Sequence, residues 1–154
     1  MSHLSRVTSK MKDVETLRVA VESLGLELGG KCKVRIYDGS IVDVEHHIQF
    51  GGGDNGAQRV GFNRNADGSF EFVTDWYNVD RHISKKGLGV RSYGTDGQQF
   101  RENIQVAYGK QSVMEICRQK GYTLVDEEET NEGVRLMVQV GSGYGGGGDY
   151  SSSW

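Results

Sequence analysis

A thiol and an imidazole are the two side chains whose types and spacing could do chemistry together. Cys32 lies in a segment with alternating apolar residues, 31–37, and His46 lies in a second one, 41–50. A three-residue loop at 38–40 places Cys32 opposite His46, as in a nucleophile pair or half a metal site. No HxExxH or CxxC motif accompanies them, and two ligands alone do not hold zinc. The pattern favours a buried thiol beside a buried histidine, and it predicts no catalytic residue and no metal site.

Charges on the outer face of this hairpin favour the three-residue loop over a two-residue loop. It sets Arg35 opposite Asp43 and Lys33 opposite Glu45, with His47 on the solvent face beside these acids. A basic and aromatic strand face that is neutralised in this way releases few counterions when it binds a nucleic acid. The register therefore weakens a nucleic-acid interpretation of this face.

A basic cluster follows the central aromatic run of the chain. Its members are Arg81, His82, Lys85, Lys86 and Arg91. They are the candidate binding surface for an anion, a nucleic acid or an acidic partner, and the alternative is a solvated loop whose charges serve solubility. The net charge of -3 and the pI near 5.8 provide no overall field that attracts nucleic acid or an anionic membrane.

Two glycine-rich segments raise the question of phosphate binding. The segment 51–57, GGGDNGA, has no lysine and leads into a strand, unlike a P-loop. The segment 87–92, GLGVRS, lacks the third glycine of a dinucleotide fingerprint. Neither segment predicts a nucleotide site, and we expect no cofactor.

The scaffold is expected to be organised around a central hairpin at 60–77. Phe62 and Phe70 share one face with Val60 and Phe72 only if the connecting loop is odd, and 64–68 fits. Before it, the pattern predicts a strand at 4–11, a helix that Asp13 caps and Gly25 ends, and the two strands described above. The first half thus reads β-α-β-β.

The second half is interpreted as a repeat of the first. The segment 100–108 suits either a helix or a strand, and the capping box of Ser112 with Glu115 favours a strand followed by a second helix. A closing strand at 134–140 completes a second β-α-β-β unit. A short helix is also expected at 78–86, capped by Asn78 or Asp80. The fold class predicted is α+β, one domain of pseudo-duplicated β-α-β-β units around the central hairpin, in which Leu17 and Ile116 are both core residues.

Composition bounds the remaining expectations. The 154 residues include 23 glycines and no proline, and they suffice for one domain, expected at 1–140. The segment 141–154 is expected to be a disordered Gly/Ser/Tyr tail. Two cysteines, Cys32 and Cys117, are read as reduced and buried thiols. No signal peptide and no run of about 18 apolar residues is present, so the protein is expected to be cytoplasmic.

Several short motifs resemble a known family in their order and spacing. They are Met-Ser-His followed by Ser-x-Val-x-Ser-x-Met-x-Asp, Leu24-Gly25, Val60-Gly-Phe, the run 70–76, and Ile104-Gln-Val-Ala-Tyr before Gly121-Tyr. Over most of residues 1–140 the chain resembles the small hypothetical chloroplast open-reading-frame proteins of plastids and cyanobacteria, whose domain has no assigned function. The resemblance implies no activity, cofactor or catalytic residue, and a stroma-like location if the chain is plastid-encoded.

Three functions are compatible with these observations. A non-enzymatic accessory protein that binds another protein requires no missing residues and is the expected function. A nucleic-acid-binding module would use the basic cluster and the Gly-Tyr tail. A metal- or thiol-dependent enzyme around Cys32 and His46 is the third possibility. The oligomeric state is left open by the sequence.

Overall fold

The computed structural model describes residues 6–50, 59–86, 96–130, 133–140 and 146–152. Within these residues, helices and antiparallel sheets are both present, and the predicted α+β class is confirmed. The elements in chain order are β1 (Arg6–Thr8), α1 (Val14–Ser23), β2 (Cys32–Arg35), β3 (Ile41–Val44), β4 (His46–Gln49), β5 (Arg59–Arg64), β6 (Phe70–Val73), α2 (Trp76–Lys86), α3 (Gly97–Lys120), β7 (Thr123–Thr130), β8 (Gly133–Val140) and β9 (Gly146–Ser152).

The central hairpin is β5 and β6, and it forms the middle of a four-stranded sheet in the order β1-β6-β5-β4. Phe62 pairs with Phe72, and the side chains of Val60, Phe62, Phe70 and Phe72 are all fully buried on one face. They pack with residues of α1 and α3 in the main core. Burial of each such side chain contributes about 1.5–3 kcal/mol, so this face of the hairpin anchors the fold as predicted.

Two turns of the same kind close the hairpins. Gly39 and Gly68 have φ of +87° and +88°, and each follows an aspartate whose Oδ1 accepts from the serine N–H after the glycine, at 2.8 and 2.9 Å. In the first turn the Ile36 N–H donates to the Ser40 carbonyl at 3.0 Å, so the three loop residues are 37–39. Glycine takes the left-handed position at the end of a three-residue loop.

The register of the β2-β3 hairpin therefore differs from the sequence prediction by two residues. Cys32 lies opposite Val44 and Lys33 lies opposite Asp43, whereas the prediction paired Cys32 with His46 and Lys33 with Glu45. The odd loop length was right, so each side chain keeps its predicted face. The pairing was wrong because the left-handed glycine fixes the loop one residue earlier than the charges suggested.

The β2-β3 hairpin covers part of the back of the four-stranded sheet. Val34, Val44 and Val73 form a second buried cluster there. Residues 41–50, predicted to be one strand, are divided at Glu45, since β3 pairs with β2 and β4 pairs with β5. The Glu45 N–H donates to the Phe62 carbonyl at 3.2 Å and to the side chain of Asn63 at 3.0 Å. The chain thus changes sheets at this residue.

Helix α1 agrees with its prediction at both ends. The Asp13 side chain accepts from the Glu15 N–H at 3.2 Å as the N-cap, and Gly25, with φ of +78°, follows the C-cap. Leu17, Ala20 and Val21 are buried. These buried positions hold α1 against the sheet and α3.

Helix α3 contradicts the predicted second β-α-β-β unit. It runs without a break through the ambiguous segment 100–108, in which 104–108 was predicted to be a strand, and through Ser112 and Glu115, which were predicted to form a capping box. The N-cap is Asp96, whose side chain accepts from the Gln99 N–H at 2.8 Å. The prediction was wrong because internal symmetry was preferred to periodicity. The helical spacing of Phe100, Ile104 and Ala107 correctly marks the buried face.

The remaining elements extend the core at its margins. Helix α2 begins at Trp76, and the Asp75 carboxylate accepts from the Asn78 N–H at 3.2 Å, so the predicted caps Asn78 and Asp80 were wrong. Strand β8 confirms the predicted strand at 134–140 and pairs with β7 and β9. Strand β9 differs from the expected disorder of 141–154, because residues 146–152 pair along β8. The other residues of that tail lie outside the described ranges.

Candidate functional site

The predicted thiol and imidazole pair is not assembled by the fold. Cys32 lies in β2 opposite Val44, whereas His46 lies in β4 opposite Phe62, in the other sheet. The cross-strand contact that motivated a nucleophile pair was therefore wrong. Within the described residues, no three His, Cys, Asp or Glu side chains are grouped so that they could hold a metal ion.

Both cysteines are free thiols. Cys117 is buried and Cys32 is half-buried. Burial raises the pKa of the Cys32 thiol, and the positive charge of Arg59 opposes this only in part. A raised pKa keeps the thiol protonated, and the protonated thiol is a poor nucleophile and metal ligand.

His46 sits at the edge of the core. Its Nδ1 is buried and has no hydrogen-bond partner among the described residues, and its ring meets the edge of Phe70 at a centroid distance of 6.0 Å. Loss of solvent lowers the pKa of His46, and the nearby cations Arg18 and Arg64 lower it further against the opposing effect of Glu45. The neutral imidazole therefore predominates near pH 7.

His47 is half-exposed, and it contacts the chain before β2. Its backbone bridges to Gly29, and its ring nitrogen Nδ1 lies 2.8 Å from the Gly30 carbonyl oxygen. The carbonyl can only accept, so this nitrogen donates and carries the proton. His47 thereby holds the chain before β2 against β4, which is a structural role.

The predicted basic cluster is only partly described. Arg81 is exposed on α2, with its guanidinium 5.8 Å from the centre of the Tyr77 ring. His82, Lys85 and Lys86 continue the backbone of α2, and Arg91 lies outside the described residues. The structure therefore neither assembles nor separates this cluster.

The outer face of the β2-β3 hairpin is less neutral than predicted. Lys33 and Asp43 form an ion pair at 2.9 Å, but both side chains are mostly exposed. Arg35 lies opposite Ile41, and Glu45 reaches Arg64 at 4.0 Å. Only Asp43 therefore pairs with a cation across these two strands, whereas two such acidic residues had been predicted.

A concave surface lies between α1 and α3. This α1–α3 groove encloses about 560 Å3. Residues that line it include Asp13, Glu15, Val19, Met114, Glu115 and Arg118. The Tyr108 hydroxyl accepts from the N–H groups of Lys12 and Asp13, at 3.0 and 2.9 Å, and so ties the start of α1 to α3.

Two apolar side chains are exposed in the α1–α3 groove, one from each helix. Val19 is 45% exposed and Met114 is 41% exposed. Single exposed apolar residues are ordinary on protein surfaces. Two that face one groove form an apolar seam, and such apolar surface is typical of a binding site. This seam is a candidate contact site within the described residues.

Polar and charged residues border this seam. Arg118 donates to Glu115 through two nitrogens, at 2.6 and 3.1 Å, and Gln119 donates to the same carboxylate at 3.1 Å. The hydrogen bonds from Arg118 and then Gln119 lower the pKa of Glu115. Glu15 is 73% exposed, and Arg18 approaches it only to 3.6 Å. The carboxylate of Glu15 therefore remains largely available to solvent.

The sequence analysis missed this groove because its α3 side was assigned incorrectly. Met114 belongs to a helix that was thought to begin at Ser112, and Ile116 was placed in the core although it is 42% exposed. A continuous helical pattern from Phe100 would have placed Ile104, Ala107 and Met114 on one side of the helix and Ile116 on the opposite side. The signal was therefore present in the period of 3.6 residues.

Comparisons with known proteins place the chain in a family but give it no activity. Within the described residues no helix has the length and apolar character needed to cross a membrane. No curated protein matches the chain, and no solved structure does. A family model described as protein of unknown function (DUF1257) matches residues 20–138, which is more than half of the chain. The match extends from within α1 to near the end of β8, and the chain belongs to this DUF1257 family.

Proposed function

We propose that this protein is a non-enzymatic accessory protein that binds another protein through the α1–α3 groove. The observation that carries the proposal is the pair of exposed apolar side chains, Val19 and Met114, on two adjacent helices. Methionine adapts its shape to different partners and is common on binding surfaces. The poorly nucleophilic Cys32 thiol and its separation from His46 support a binding role over a catalytic one.

Exposure of the lining residues favours a macromolecular ligand over a small molecule. Small-molecule sites bury most of the ligand in a largely apolar pocket. Here the side chains of Glu15 and Arg118 are 73% and 74% exposed. A ligand in this groove keeps one side open to solvent, as a segment of a larger partner does.

The test is affinity purification of the tagged protein from its host, with nuclease treatment before mass spectrometry. We expect a protein partner that the double variant Val19→Glu/Met114→Glu no longer recovers. The matched control is Val125→Glu/Ile116→Glu, which adds the same charge at residues that are 53% and 42% exposed and do not line the groove. Equal recovery by both double variants would contradict the proposal, and loss of the partner after nuclease would favour a nucleic-acid link.

We also propose a plastid or cyanobacterial origin and a location in the cytoplasm, or in the stroma for a plastid protein. The chain has two cysteines and both are free, which suits a reducing compartment. Cell fractionation with thiol labelling tests this. Recovery from an oxidising compartment with Cys32 or Cys117 in a disulfide would contradict it.

A further inference from the structure

We propose that the segment bound in the α1–α3 groove is a cationic amphipathic helix of the partner protein, an inference that rests on the proposed function above. Two packed helices leave a linear groove between them, and a third helix is the element that fills such a groove with apolar residues at i, i+3 or i+4, and i+7. Helix α1 has 10 residues, which corresponds to about 15 Å. A partner helix of about three turns therefore spans it.

The charge of the α1 border determines which charge on a partner helix is favourable. Glu15 and Val19 line the groove, and Glu22, seven residues after Glu15, continues the same exposed stripe of α1 beyond the groove. The Glu22 carboxylate has no ion pair within the described residues, and Arg18 approaches Glu15 only to 3.6 Å. A nitrogen of Arg18 also lies 3.3 Å from the Leu28 carbonyl, to which it donates. The stripe thus presents two carboxylates on either side of an apolar contact.

The α3 border adds little opposing charge. Arg118 is the cation there, and its guanidinium is already engaged by Glu115 through two hydrogen bonds. The pair leaves the α3 side close to neutral, while the α1 side remains negative. Lysine or arginine residues along one edge of a partner helix therefore complement the groove, whereas glutamate or aspartate residues meet repulsion.

The same charges disfavour a second copy of this chain in the groove. A two-fold contact brings the same surface of both copies together. Glu15 and Glu22 of one copy would then face the same stripe of the other, in which two carboxylates outnumber the one neighbouring cation, Arg18. The occupant is thus a different, basic segment.

The test uses two labelled peptides that carry the same leucine stripe on a three- to four-turn helix. One has lysine at the flanking positions and the other has glutamate. Fluorescence anisotropy at about 0.05 M salt is expected to give at least about tenfold tighter binding of the lysine peptide, with the preference reduced at 0.3 M. A scrambled lysine peptide without the apolar stripe is expected to bind no more tightly than the glutamate peptide.

Matched variants locate the binding. We expect the variant Glu15→Gln/Glu22→Gln to bind the lysine peptide about four- to twentyfold more weakly. Each exposed charge contact contributes about a two- to fivefold change in affinity. The control Glu27→Gln/Glu102→Gln removes the same charge from exposed positions that belong neither to the groove lining nor to the α1 stripe, and it is expected to leave binding unchanged. Val19→Glu/Met114→Glu is expected to abolish the preference for the apolar stripe.

The outcomes separate this inference from the proposed function. If the natural partner is lost with Val19→Glu/Met114→Glu but the two glutamine variants bind the lysine peptide equally, the groove binds a partner and the cationic assignment is wrong. If the natural partner is retained by Val19→Glu/Met114→Glu, the proposed function fails, whatever the peptides do. Lysine-peptide binding that still requires the apolar stripe in that variant places the basic helix elsewhere and overturns the inference.

Discussion

A close contact between two residues sets the geometry behind the central hairpin. Val44 of β3 lies directly over Gly61 of β5, and a Cβ built on Gly61 would lie 2.5 Å from Val44 Cγ1. Carbon atoms in contact prefer about 3.5–4.0 Å, so any larger residue at 61 must push the valine away. The β2-β3 hairpin can therefore lie against the sheet because residue 61 has no side chain.

The variant Gly61→Ala is expected to destabilise the protein by about 1–3 kcal/mol, as overpacking of a filled site does. Urea denaturation measures the change. The cost is expected to shrink when Gly61→Ala is made in a Val44→Ala background, because two of the three Val44 atoms nearest to the added methyl, Cγ1 and Cγ2, are then absent. An equal cost in both backgrounds would show that the contact with Val44 is not the cause.

His46 makes stability depend on pH, because burial depresses its pKa in the folded state. The unfolded chain, with a histidine pKa of about 6.5, then binds more protons than the folded one between the two values. The contribution of the neutral His46 to the free energy of unfolding is complete above a pH of about 6.5. It is lost as the pH falls through the pKa of His46 in the folded state. The neighbouring charges that face the ring are Arg18, Glu45 and Arg64.

We expect wild type to lose more stability than His46→Gln when both are moved from pH 8 to pH 5.5. The measurement is the chemical denaturation midpoint at each pH. The other histidines titrate in both proteins, so the difference between the two isolates residue 46. Equal losses in the two proteins would contradict this assignment.

At the scale of elements, sequence patterns predicted most of the first half and failed where two signals competed. The even-numbered apolar residues of the central hairpin, the Asp13 cap and the Gly25 stop all appear as predicted. In α3, an apparent repeat was preferred to the helical period. The β2-β3 register followed charge pairs, although exposed ion pairs contribute little and a glycine with positive φ fixes a turn more strongly. One side of the groove is formed by α3, so the groove was not predicted.

Leu17 and Ile116 test the corrected element assignment. Sequence patterns predicted that both side chains lie in the core. In the structure Leu17 is fully buried and Ile116 is 42% exposed. We expect Leu17→Ala to cost about 2–4 kcal/mol through the lost contacts and the cavity. Ile116→Ala is expected to change the free energy of unfolding by no more than about 0.5 kcal/mol. Urea denaturation of both variants decides between the two assignments, since similar costs would restore the earlier one.

At the scale of the whole molecule, the described surface divides by charge. The α1 stripe of the groove is acidic, while the outer face of the β2-β3 hairpin carries Lys31, Lys33 and Arg35 against Asp43. A chain with net charge of -3 therefore still has one locally basic face. Such a face is a basis for nucleic-acid binding besides the predicted basic cluster, and it lies on strands rather than on the groove helices.

The intact protein is expected not to bind oligonucleotides tightly at physiological salt. Affinity for nucleic acid comes mainly from cations that displace counterions from several phosphates, and a protein that neutralises only two or three phosphates gains little. Fluorescence anisotropy of labelled single-stranded and duplex oligonucleotides at about 0.15 M salt measures this. Two charge-removing variants accompany wild type: Lys31→Gln/Arg35→Gln on the hairpin and Arg81→Gln/Lys85→Gln/Lys86→Gln/Arg91→Gln on the predicted basic cluster. Submicromolar binding that either variant loses would identify the surface responsible and replace the protein partner with a nucleic acid.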